Sequence, residues 1–128
     1  MTSHSMNRYY FLASPYKGSE EEKEYRYRQS QEIVAYFLKH KISIFAPILY
    51  NETIIKSFNG INLELRRELL MPMNLNFLYR SFGVLILKIE GWDKSLGMKQ
   101  YIEFCSENSI PTYDLDPMKV EITLDKIR

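Results

Sequence analysis

The chain has 128 residues, 45% of them hydrophobic and 26% charged, and a formal net charge of +1 from 17 basic and 16 acidic side chains. So even a balance gives no electrostatic case for a nucleic-acid or anionic-membrane partner, and a single cysteine, Cys105, excludes an internal disulfide framework and a cysteine-based zinc site. There is no apolar run of bilayer length and no signal-peptide core, so the expectation is a cytoplasmic single domain over residues 8–128, behind a disordered leader at residues 1–7.

Tyr9 to Ala13 is an aromatic-rich run ended by Ser14 and Pro15, which predicts a first strand. Ser19 ahead of Glu20, Glu21 and Glu22 is an N-cap with acids in the first turn, and the apolar positions up to Leu38 keep helical spacing, so a helix is expected as far as His40. Ile42 to Ala46 alternates, is β-rich and stops at Pro47, as a second strand would. Residues 51–70 are harder to place, with Asn59-Gly60 as a turn and Leu63 to Leu70 as a short helix. Pro72 suits the first turn of a further helix that runs to Ser81.

Phe82 to Ile89 is a nearly unbroken apolar run, the pattern of a central parallel strand buried on both faces. Gly91 then makes a tight turn and a helix is expected from Ser95 to Asn108, with Met98, Tyr101, Ile102 and Cys105 on its sheet-facing stripe. Ile110 to Tyr113 reads as a short strand and Val120 to Leu124 as a fifth. Strands alternating with helices predict an α/β fold: a doubly wound, flavodoxin- or Rossmann-like sheet of about five mostly parallel strands, with helices on both faces.

Three motifs occur in order: Tyr10-Phe11-Leu12-Ala13-Ser14-Pro15-Tyr16, Pro47-Ile48, and Gly91-Trp92-Asp93-Lys94-Ser95-Leu96-Gly97-Met98. Together they resemble the nucleoside 2-deoxyribosyltransferase superfamily, in particular an uncharacterised DUF1937-like branch, over about residues 9–117. The resemblance implies a small-molecule nucleotide, nucleoside or sugar phosphate as ligand, no cofactor, and a homodimer. The high aromatic share, with 10 tyrosines, fits a dimer surface as well as a core.

The resemblance also assigns the site. The family's nucleophilic glutamate falls at Tyr101, its sugar-side aspartate at Asn74 and its strand-one tyrosine at Phe11, so all three catalytic positions are replaced. Retaining cleavage of a glycosidic bond needs a carboxylate at the anomeric carbon. The expectation is therefore a binding domain without the chemistry. Ser14, Tyr16, Arg28, Trp92, Ser95, Gly97 and Met98 are its candidate ligand contacts, the last three because a helix start beyond a strand's carboxyl end favours anions.

Two alternatives stand beside this one. The first is an active N-glycosidase or deoxyribosyltransferase using Glu90 or Asp93, since Glu103 falls on the solvated side of its helix. The second is an interaction module whose pocket is filled by its own rings. His4 and His40 have no second ligand in view, so no metal site is expected.

Overall fold

The computed structural model describes residues 8–58 and 62–128; the leader and the Asn59-Gly60 turn lie outside the described residues. Four strands, β1 (Tyr10–Ala13), β2 (Ile44–Phe45), β3 (Gly83–Leu87) and β4 (Thr112–Leu115), form one sheet in the order β2-β1-β3-β4. Every pairing is parallel, with Leu12 opposite Leu85 and Leu85 opposite Tyr113. The helices are α1 (Glu20–Lys39), α2 (Pro47–Ile55), α3 (Leu63–Tyr79), α4 (Leu96–Glu107) and α5 (Val120–Ile127), with a 3₁₀ turn at Trp92–Lys94 before α4.

Every residue of β1 and β3 is buried. Successive strand side chains point to opposite faces, so alternate residues feed separate cores. Tyr10, Leu12, Leu85 and Leu87 join Phe37 of α1, Ile48 of α2 and Leu124 of α5. Phe11, Ala13, Val84 and Ile86 join Leu78 of α3 with Met98, Tyr101 and Cys105 of α4. The stripe expected on α4 is the face that packs, and Glu103 is exposed.

Ser19 caps α1 as expected, accepting from the Glu22 amide while the Glu22 carboxylate accepts from the Ser19 amide. That double contact holds the Glu22 carboxyl below its usual range.

The structure corrects several expectations. Among the described residues the sheet has four strands, because residues 120–127 form α5. Val120 to Leu124 carries a β-rich composition, but Thr123, Leu124 and Ile127 are buried at helical spacing. The Thr123 hydroxyl donates to the Asp114 carbonyl at 2.8 Å, tying the helix to β4. Packing overrides propensity here. The short second strand ends early because Pro47 takes the first turn of α2, a helix not expected from the sequence.

Pro72 starts no helix: it lies inside α3, which joins the two helices expected there. Leu70, Asn74 and Leu78 stack on one buried face at fourfold spacing, and that burial holds the helix together across the proline. Proline still lacks the N–H that would bond the carbonyl four residues back and crowds that carbonyl. Since Pro72 itself is exposed, Pro72→Ala is expected to raise stability by about 1–3 kcal/mol. Chemical denaturation reads this directly, and an unchanged or lowered midpoint would refute the strain.

Candidate functional site

In the order β2-β1-β3-β4 the chain leaves β1 and β3 toward opposite edges, which opens a crevice at their carboxyl ends. A cleft of about 310 Å³ lies there. One wall is the segment after β1, with Ser14 and Tyr16; another is the start of α4, with Ser95, Leu96 and Gly97. Pro47, Ile48, Asn51, Glu52 and Ile55 of α2 close a third side, and Asn74 of α3 and Tyr101 of α4 also line it.

Asn74 and Tyr101 are both buried. The Asn74 amide donates to the Tyr101 hydroxyl at 3.1 Å, and Asn51 donates to the Asn74 carbonyl oxygen at 3.3 Å. A chain of neutral groups thus runs from α2 through α3 to α4. Burial pushes the Tyr101 phenol from its ordinary 10.0 up to about 12, opposed by the Asn74 hydrogen bond, so it stays protonated at neutral pH. The Phe11 ring packs edge-on to Tyr101 with centroids 5.1 Å apart, inside the core and off the cleft's lining. Two polar atoms on the lining, Ser14 Oγ and Asn51 Oδ1, are buried without a hydrogen-bond partner.

Of the expected contacts, Ser14, Tyr16, Ser95 and Gly97 come together on the cleft, as do Asn74 and Tyr101. Ser95 is also the N-cap of α4: its hydroxyl accepts from the Met98 amide at 3.2 Å, so that amide is occupied and the Met98 side chain is buried in the core. Trp92 stands outside the lining, under the Lys88 ammonium at 3.7 Å from its ring centroid. Glu90 and Asp93 are exposed and line nothing here. Among the described residues no group of three or more His, Cys, Asp or Glu side chains could hold a metal ion.

Arg28 faces solvent and pairs with Glu24 at 2.8 Å on its own helix. The arginine that matters is Arg26, two positions earlier and buried. Its guanidinium donates to the Lys17 carbonyl and, at 3.0 Å, to the Glu90 carbonyl, bridging the segments that follow β1 and β3. Gly91 has φ +91°, and a Cβ there would lie 2.7 Å from the guanidinium, so the bridge needs glycine twice over.

Glu52, which the sequence alone does not single out, is a carboxylate on the cleft and accepts a hydrogen bond from the Tyr16 hydroxyl. Its position was readable in principle: Ile48, Asn51, Glu52 and Ile55 fall on one face of a helix, once residues from Pro47 onward are recognised as helical.

A family model described as "Domain of unknown function (DUF1937)" matches residues 8–114, from the start of β1 through most of β4. No curated protein matches the chain.

Two measurements follow from this geometry. Removing the Arg26 bridge strands the carbonyls of Lys17 and Glu90, so Arg26→Met is expected to cost roughly 2–3 kcal/mol. It should also shift the emission of Trp92, the only tryptophan, and unaltered emission would mean the turn does not depend on the bridge. Because the Tyr101 phenol is raised from 10.0 to about 12, its contribution is complete below pH 10 and is lost as pH rises through 12. Tyr101→Phe should therefore flatten the fall in stability across that window, and an unchanged alkaline limb would refute it.

Proposed function

The chain belongs to the DUF1937 family of unknown function, and we propose that it is a nucleoside 2-deoxyribosyltransferase-like domain that binds a nucleotide, nucleoside or sugar phosphate and has lost the chemistry. One observation carries the reading. At the cleft between the ends of β1 and β3, a protonated phenol bonded to a carboxamide, Tyr101 and Asn74, stands where the resembling enzymes place two carboxylates. A phenol held at about 12 supplies no nucleophilic anion at neutral pH.

Binding itself is supported by the cleft's form. It keeps about 310 Å³ despite the ring of Tyr101, with apolar walls at Leu12, Ile48 and Met71 and a few polar groups among them. That is the composition of a small-molecule site, and it counts against a module whose pocket is filled by its own rings. The same reading includes a doubly wound sheet, a cytoplasmic location and a homodimer, the last supported by the exposed rings of Tyr79 and Phe82.

Glu52 favours a second reading, an active glycosidase with a displaced acid, because its carboxylate lines the cleft and is oriented by Tyr16. Glu90 and Asp93 do not support it.

A thermal-shift panel of nucleosides, nucleoside monophosphates and ribose phosphates, with chromatography for released base, separates the two. A ligand at 100 times its dissociation constant should stabilise by about 2.7 kcal/mol. The expected result is a stabilising ligand with no base released. Release that disappears in Glu52→Gln would establish the glycosidase instead, and a silent panel would refute both.

A further inference from the structure

We propose that the cleft's floor recognises an uncharged ligand group that both donates and accepts hydrogen bonds, with Asn51 and Ser14 as its contacts; this deepens the binding reading above and rests on it. Four polar side chains make the floor: Ser14, Asn51, Asn74 and Tyr101. None is ionised at neutral pH. Of the charged side chains on the lining, Lys23 and Glu52 both contact Tyr16. Lys17 is exposed, and the Lys23 ammonium lies 3.8 Å from Glu20 and 5.6 Å from the Tyr16 ring centroid. The Glu52 carboxylate accepts from the Tyr16 hydroxyl.

An anion bonded to these four groups would exchange its hydration for neutral partners, and an ammonium bonded to them would gain no ion pair from them. A hydroxyl or a carboxamide loses far less. Two atoms of the floor have that complement, since Ser14 Oγ and Asn51 Oδ1 are buried and unpartnered. Buried polar atoms are normally satisfied, and an unsatisfied one calls for an explanation such as a water, an ion or a ligand.

Asn51 is the pivotal contact because it is held from behind. Its amide nitrogen is committed to Asn74 at 3.3 Å, and Asn74 in turn to Tyr101 at 3.1 Å, which leaves its carbonyl oxygen to the ligand. Reversing both carboxamides would hand the ligand a donor instead, and the floor would stay uncharged. Paired sugar hydroxyls and the amide edge of a heterocycle share the chemistry that fits.

Calorimetric titration of the full chain with ribose, adenine, uracil, adenosine, uridine and inorganic phosphate tests this, in the wild type and in Asn51→Leu and Ser14→Ala. At least one neutral probe should bind, Asn51→Leu should weaken it at least tenfold and Ser14→Ala about threefold, and phosphate alone should not bind. Binding of ribose without the free bases assigns the floor to hydroxyls, and the converse assigns it to a base edge. A neutral ligand whose affinity survives both substitutions would overturn the floor assignment and leave the binding reading standing. Phosphate binding that Asn51→Leu abolishes would also overturn it, by putting an anion on the floor. If no probe binds the wild type, both fall. Ser14→Ala, a small change beside an intact core, keeps the test decisive should Asn51→Leu fail to fold.

Discussion

The constraint behind the rest of this structure is the complete burial of β1 and β3. Two adjacent parallel strands with every side chain buried can carry no polar function along their length, because an unpaired polar group there would cost more than it could return. Polar chemistry has to wait until the chain leaves the sheet. It does so within one residue of β1, at Ser14, and shortly after β3, at Ser95. The two exits lie side by side because Ala13 pairs with Ile86. The cleft is therefore a consequence of register as much as of any site residue, and the helices packed against the strands supply its remaining walls.

Register alone does not fix the distance between two loops. Arg26 does, by donating from α1 to a carbonyl on each of them. A guanidinium suits this task because its donors diverge in a rigid plane and it keeps its charge on burial. The Glu22 carboxylate, 3.7 Å away on the preceding helical turn, offsets part of that buried charge. The capping box at Ser19 holds Glu22 in turn, so the start of α1 and the shape of the cleft are one connected structure.

How much of this could be read from the sequence differs from residue to residue. Ser14 and Ser95 were legible because each stands where a strand's apolar run gives way to a turn, and turns have strong local signatures. The buried stripe of α4 was legible from its period. Asn51 and Glu52 were not, because Tyr50 to Ile55 has no start signal other than Pro47, which reads equally well as the end of β2. Arg26 and Arg28 lie about 200° apart around a helix, and α1, with polar side chains on most of its surface, gives little indication of which arginine turns inward. Val120 to Leu124 has the composition of a strand, but its conformation is decided by contact with β4. The errors fall where tertiary contacts, rather than local preference, choose the outcome.

The neutral groups at positions 74 and 101 of the floor also explain each other. A glutamate at position 101 would place a carboxylate in a site that burial already makes unfavourable for a phenolate, and an aspartate at position 74 would add a second negative charge within hydrogen-bond reach of it. Enzymes that hold such acids must spend structure on supporting them. Here Asn74 donates to a phenol and accepts from Asn51, and each of these contacts is between neutral groups. Restoring a single acid would break that pattern and bury a charge among neutral groups. Neutrality at positions 51, 74 and 101 is thus a property of the set. It lets the floor stand as a bonded set of neutral groups.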